Sequence, residues 1–241
     1  MASSRSVNAL FLSVLTCAAL ATACGGQSGD GKAGADQESE RAAPAGTGYT
    51  SDQLRQALPT ELSGYRRTGE PEAGEYASLK SIANFLQLQR QVTYDKPRCA
   101  KVTGASVALD EELRTVPAAV AIFSKGGGHS VSTTLMAVPN STAERHVQVR
   151  MPEQCKQFRT KINGKWAEHE VVEAGSGDTG LGSRIVGVAS TLNETAVKTW
   201  YVVLRGRGYL ATIALYGPTA TRAEAEQLAR QTYDHAERIL P

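Results

Sequence analysis

Ile162-Asn163-Gly164-Lys165-Trp166 is the stretch that decides the fold. An Asn-Gly pair between two strand-like runs favours a two-residue type I′ turn, because both central residues must take positive φ. A tight hairpin joins antiparallel neighbours, so the sheet built around it is expected to be antiparallel. Working outward, the runs Ser183 to Thr191, Val197 to Arg205 and Tyr209 to Gly217 read as strands, the last two joined by Gly206-Arg207-Gly208. Upstream, Ala118 to Ser124 is an apolar β-favouring run. Ser130 to Val138 alternates Val131, Thr133 and Leu135 against Ser130, Ser132 and Thr134. Lys125-Gly-Gly-Gly128 between them is read as a turn, since no Lys-Ser/Thr and no helix follow to make a phosphate cradle.

Helix signals lie between and after the strands. Thr50-Ser-Asp-Gln53 is a capping box before Leu54, Ala57 and Leu58, with Pro59 closing the short helix and Leu62-Ser-Gly-Tyr65 turning the chain. Leu79, Ile82, Ala83 and Leu86 recur at helical spacing and predict a helix from about Tyr76 to Arg90. Ser141-Thr-Ala-Glu144 predicts a second box opening a helix through about Met151. Thr221-Arg-Ala-Glu224 predicts a third, with Ala225, Leu228, Ala229, Thr232, Ala236 and Ile239 on one stripe. Hairpin strands with segregated helices imply an α+β domain: a twisted antiparallel sheet of about five to seven strands with flanking helices, spanning residues 49–241. No internal repeat is visible.

The chain of 241 residues begins with a different kind of segment. Residues 1–23 carry one positive charge at Arg5, an apolar centre from about Ala9 to Leu20, and small residues before Cys24, which is the layout of a signal peptide. Ala21-Thr22-Ala23-Cys24 resembles the lipobox of bacterial lipoproteins, in which the cysteine thiol takes a diacylglycerol and becomes the first residue of the mature chain. The usual Leu is displaced by one position to Leu20. Ala21-Thr22-Ala23 also reads as an A-x-A site, which would give a secreted, unlipidated form. Cysteine parity favours the lipoprotein: Cys17 leaves with the leader, and acylation of Cys24 leaves Cys99 and Cys155 as an even pair suited to an oxidising compartment. Residues 24–48 are then a lipidated, disordered tether, rich in Gly, Ser, Ala and charged residues and without an aromatic before Tyr49. As a flexible coil it would reach about 25–30 Å on average and ~80 Å fully extended. The localisation expected is the extracytoplasmic face of the cell membrane, with the bilayer as partner through the anchor.

Composition excludes several function classes. The formal net charge is +2, and loss of Arg5 with the leader brings the rest closer to neutral, so nucleic acid is not an expected partner. No apolar run of membrane-spanning length follows the leader. Cys99 and Cys155 enclose a loop of about 57 residues, and a disulfide there would stabilise by roughly 4 kcal/mol on the chain-entropy argument. His129, His146, His169 and His235 form no metal-ligand spacing, so neither a metal nor a cofactor is expected. His169 lies between Glu168 and Glu170 on a strand, where those neighbours point to the opposite face. It is read as solvent-exposed. Asp178-Thr-Gly resembles the aspartic-protease triplet but has no second carboxylate on a matching loop, and no G-x-S-x-G or S-x-x-K occurs. Trp166, Trp200, Tyr201, Tyr209 and Tyr216 fall on strands and are read as core or sheet-face residues.

The lipobox, the Cys99–Cys155 spacing, the capped helix before the second cysteine, and Gly177-Asp178 leading into a strand together resemble one family. It is the extracellular sensor domain of mycobacterial PknH-type serine/threonine kinases, with stand-alone lipoprotein relatives in actinobacteria. The resemblance spans roughly Tyr49 to Pro241. Those relatives carry a Trp shortly before the second cysteine and a second disulfide, where this chain has Met151-Pro-Glu-Gln-Cys155 and no further pair. Actinobacterial lipoproteins with a PsbP-like fold share the helix-flanked sheet and remain an alternative. The resemblance implies a twisted antiparallel sheet with helices and an exposed cleft for an unidentified ligand, while the lack of a catalytic constellation in the residues argues against an enzyme. The expected function is a lipid-anchored binding or sensor-like module for a small or lipidic ligand. The alternatives are a cell-envelope hydrolase or transferase, which needs converging titratable groups, and a lipid carrier, which needs a cavity above the ordinary ~300–1,000 Å³.

Overall fold

A computed structural model describes residues 48–101 and 107–240, all within one compact unit. The leader, Cys24 and the tether through residue 47 lie outside the described residues. The unit is built on a ten-stranded sheet. Its strands are β1 (Arg66–Arg67), β2 (Glu72–Glu75), β3 (Thr93–Tyr94), β4 (Pro117–Lys125), β5 (His129–Ala137), β6 (Gln157–Ile162), β7 (Lys165–Gly177), β8 (Ser183–Leu192), β9 (Thr195–Arg205) and β10 (Tyr209–Gly217). The order is β1-β4-β5-β10-β9-β8-β7-β6-β3, with β2 also on β4 and every pair antiparallel. The helices are α1 (Ser51–Gln56), α2 (Lys80–Gln89), α3 (Asn140–Gln148) and α4 (Arg222–Ile239).

The seven long strands fall where alternation and turn chemistry place them. Asn163 and Gly164 both take positive φ, 51° and 79°, as a type I′ turn requires. The sheet is nevertheless larger than five to seven strands, because β1, β2 and β3 are added at its margins. These are two to four residues long and rich in Arg, Glu, Gly and Thr, so no side-chain pattern announces them. They exist by backbone pairing to β4 and β6.

Period-two burial sorts the sheet faces. On β10, Tyr209, Ala211, Ile213 and Leu215 pack against α1 and α4, while Leu210 joins a second core on the opposite face. The first core takes Leu54, Ala57 and Leu58 from the α1 region and Ala225, Leu228, Ala229 and Ala236 from α4. The second gathers Ile82, Leu113, Val120, Met136 and Ala143 under α2 and α3. A third, smaller cluster consists of Cys99, Cys155 and Phe158, flanked by Tyr94, Met151 and Val171.

The helix starts differ in how they are made. Thr50 and Gln53 form the expected reciprocal box. Thr221 Oγ1 accepts from the Glu224 amide, but the Glu224 carboxylate turns away to Tyr65 and Lys125, so only half of that box forms. The box expected at Ser141–Glu144 is absent. The helix begins at Asn140 behind Pro139, without a side-chain cap, and ends at Gln148, short of Met151. The Asn140 side chain is engaged elsewhere, its Oδ1 accepting from the Gly208 amide at 2.9 Å. Ile239, placed on the buried stripe of α4 by periodicity, is 45% exposed, and Leu240, four residues after Ala236, takes the buried place in the core instead.

Candidate functional site

The disulfide cluster adjoins a cleft, with Tyr94 common to both. Cys99 and Cys155 are both fully buried, with their sulfurs at bonding distance and Cα atoms 5.4 Å apart. Phe158 stacks near Tyr94, ring centroids 6.1 Å apart, and Tyr94 Oη donates to Gln89 Oε1 at 3.1 Å, tying β3 to the end of α2. Between the end of α2, β3, the turn at Pro97 and Ala100, and residues 108–114 lies a cavity of about 530 Å³. Leu86, Val92, Pro97, Ala108 and Leu109 supply its apolar wall. Its charged groups are Arg90, Glu111 and Arg114, of which Glu111 and Arg114 neutralise one another at 3.0 Å. Burial raises the Tyr94 phenol, which leaves it a neutral hydrogen-bonding group at the wall. The volume sits within the ordinary range for small-molecule sites and below what a lipid carrier needs.

A second cavity, about 390 Å³, lies on the outer part of the sheet among Asp95, Lys96, Arg159, Glu168, Glu170 and Thr191. Asp95 accepts from the Arg159 amide at 2.8 Å and from Nε at 3.3 Å. That backbone hydrogen bond, with the guanidinium, holds its carboxyl below the usual range. This keeps Asp95 ionised and engaged, the opposite of an acid poised to deliver a proton.

His169 is not the solvent-exposed residue expected from its sequence neighbours. Glu168 and Glu170 do point to the other face, but the ring lies half-buried, stacked on Phe158 with centroids 4.8 Å apart. Its Nε2 meets Thr160 Oγ1 at 2.7 Å and its Nδ1 meets Ser190 Oγ at 2.8 Å. Cross-strand register brings these together: His169 sits opposite Phe158 on β6 and Ser190 on β8. A Ser–His pair becomes a nucleophile when a third group orients the base, and Thr160 occupies the place a carboxylate would take. Burial lowers the His169 pKa, so the ring is neutral at pH 7.

His146 and His129 are each held by polar neighbours, and His235 on α4 meets Arg238 at 3.4 Å. His146 is buried, 3.3 Å from Asp110 Oδ2, and its carbonyl accepts from Arg184 Nε at 2.8 Å. Burial lowers its pKa, as it lowers that of Arg184 to about 10. His129 Nε2 lies 3.0 Å from Thr219 Oγ1 beside the group in which Tyr65 and Lys125 both bind Glu224. Burial alone would raise Glu224, but those two hydrogen bonds outweigh it and the carboxyl ends below its ordinary value. Asp178 pairs with Arg230 at 3.1 Å on the surface. Among the described residues, no group of three or more His, Cys, Asp and Glu is gathered as a metal site.

The five aromatic strand residues divide. Tyr209 is fully buried and donates to Glu237 at 3.0 Å, and Trp200 is buried with Nε1 donating to the Ala220 carbonyl at 3.1 Å. Tyr201 and Tyr216 are half-buried on the opposite face, and Trp166 stands 41% exposed at the sheet margin. Sequence reasoning named Leu86 in the first cavity and Glu168, His169 and Glu170 in the second, but as helix-stripe and surface residues rather than as lining. Tyr94 belongs to a two-residue strand, and Leu109 and Glu111 lie in an irregular segment with no motif.

No protein-family model matches this chain, and no curated protein does. Among solved structures, it is similar to the extracellular domain of PknH from Mycobacterium tuberculosis at 14% identity, covering 80% of this chain and 98% of that one with a TM-score of 0.55. It also aligns with an ortholog of Rv0999 from Mycobacterium smegmatis at 14% identity, covering 73% and 91%, with a TM-score of 0.46. The α+β sheet described above therefore has the fold of the PknH extracellular domain, in line with the family resemblance read from the sequence, although the capping box that formed part of that resemblance is absent and Cys24 lies outside the described residues.

Proposed function

We propose that this chain is an extracytoplasmic lipoprotein, anchored through a diacylglyceryl group on Cys24, whose α+β domain is a non-catalytic, sensor-like module. Its ligand site is the cleft between α2 and β3, and its ligand is a small molecule or a lipid fragment of comparable size. The observation that carries this reading is the cleft itself, a hollow of about 530 Å³ with a mixed apolar and polar lining, beside the buried cysteine pair. It lies in a fold shared with a domain solved as the extracellular part of a larger protein. The leader ending at Cys24 and the even pair left by its acylation support the same location. The non-catalytic part of the reading is supported by where the titratable groups lie: burial lowers the pKa values of His146 and His169, hydrogen bonds lower those of Asp95 and, against burial, of Glu224, and none of the four lines the cleft.

Native mass spectrometry of the membrane-extracted protein tests both parts. The expected spectrum shows a diacylglyceryl increment on a chain beginning at Cys24, together with a bound small molecule that is lost when Ala108→Trp fills the cleft. A chain without the acyl increment would overturn the anchoring, and a ligand retained by Ala108→Trp would overturn the site.

A further inference from the structure

Two of the large apolar side chains most exposed to solvent sit on one hairpin. Ile162 and Trp166 are each 41% exposed, separated only by Asn163, Gly164 and Lys165. Cross-strand register pairs Ile162 with Lys165 and Lys161 with Trp166. Successive pairs point to opposite faces, so each side of this two-stranded tip carries one apolar residue beside one lysine, around an uncharged Asn-Gly apex. A core-facing hairpin would instead collect its apolar residues on one side.

The charges are arranged to match. On β6 and the turn before it, Lys156 is bound by Glu153 at 2.6 Å and Arg159 by Asp95 at 3.3 Å. Lys161 and Lys165 have no carboxylate within ion-pair distance among the described residues. Lys161 Nζ instead lies 5.8 Å from the Trp166 ring centroid, and Arg159 Cζ lies 5.2 Å from it. Glu168, opposite Arg159 on β7, is the nearest carboxylate along the strand and lies farther from the apex.

We propose that the β6–β7 hairpin tip is a contact site for a bilayer surface bearing anionic phospholipid head groups. An indole at the head-group level is favoured because one ring buries apolar area while its N–H stays wet. Lysines beside it keep their ammonium groups at the phosphates while their stems follow the apolar residues inward. Ile162 adds apolar area on the other side of the same blade. A soluble polyanion would use the lysines but would gain nothing from Ile162, and that difference favours the bilayer. The tip lies at the opposite end of the sheet from Tyr49, whose ring reaches Gly208 in the β9–β10 turn, so this contact is separate from the root of the tether.

The test uses the chain from residue 24 with Cys24→Ser, which cannot be acylated, so its result is independent of the anchoring reading. Sedimentation with vesicles of equal parts phosphatidylglycerol and phosphatidylcholine at low salt is expected to carry the protein down, whereas phosphatidylcholine alone does not. The Trp166 emission should shift to the blue, and Trp166→Ala should abolish the shift because Trp200 is already buried. Lys161→Glu with Lys165→Glu should weaken partitioning by roughly tenfold or more, from the interaction of each lysine with an anionic surface. Binding that is equal for the two vesicle types, or unchanged in the double variant, would overturn the proposal. Retention by polyphosphate equal to that by vesicles, without an emission shift, would reassign the tip to an anionic polymer.

Discussion

β10 and β7 belong to one sheet and are separated by only two strands, yet they are held by different forces. β10 has six buried positions among its 9 residues, packed against α4 on one face and the second core on the other. β7 is longer, 13 residues, and has no buried position at all. It bonds to β6 and β8 along most of its length and breaks register between Val171 and Glu173, where Val172 is extruded to 45% exposure. The inner half of the molecule is thus a scaffold stabilised by buried area. The outer half is a lobe held by ladder hydrogen bonds, the Phe158–His169 stack and the Cys99–Cys155 link. Both cavities and the exposed hairpin tip belong to the lobe or border it.

The largest effect should come from the link. Cys99→Ser with Cys155→Ser is expected to cost about 4 kcal/mol on the chain-entropy argument, seen as a lower urea midpoint than the oxidised parent. A far smaller loss would mean that the link adds little constraint to the unfolded chain. In the scaffold, Leu215→Ala should cost about 2–5 kcal/mol with both halves unfolding together, because Leu215 is fully buried in the main core. Gly187→Ala should cost about 1–3 kcal/mol, since a Cβ there would meet the Trp200 ring at 2.7 Å, against the scaffold face where it cannot shift freely.

Acid sharpens the comparison. His146 in the scaffold and His169 in the lobe both have pKa values lowered from 6.5 by burial. Below 6.5 the unfolded chain therefore binds more protons than the folded one, and stability present above that value is lost as pH falls toward the folded pKa values. Urea midpoints should drop between pH 7.5 and pH 5.5, before the carboxylates titrate, and the drop should be reduced in His146→Gln and His169→Asn separately. A flat profile over this range would contradict the burial of both rings. The smallest stability effect belongs to Trp166→Ala, expected within ~0.5 kcal/mol because the ring is a surface group, even though it should abolish the vesicle-induced shift.

The scaffold was largely legible in the sequence because its signals are repetitive. Alternation in the first half of β5 and in β10, and the stripe of α4 as far as Ala236, each repeat a pattern several times, and burial follows that pattern; in the lobe the Asn163-Gly164 turn was the one clear signal. The lobe was less legible. β8 and β9 are joined by Asn193 and Glu194, both at positive φ, and Glu at such a position has no turn signature to read. β3 is recognised only from its pairing with β6, so Tyr94 and the cleft behind it had no sequence marker. His169 was misplaced for the same reason: its neighbours in the chain are carboxylates, but its neighbours in space are Phe158, Thr160 and Ser190, supplied by two other strands. The Cys99–Cys155 proximity was foreseen from parity alone, without any view of what it supports.

Hydrogen exchange on the oxidised chain and on the chain reduced and alkylated at Cys99 and Cys155 tests the division most directly. The amides of β3, β6 and the first half of β7 are expected to exchange at least roughly tenfold faster after reduction, while those of β9, β10 and α4 keep their protection. Equal acceleration across all of these strands, or none anywhere, would contradict a scaffold held by burial and a lobe held by its link.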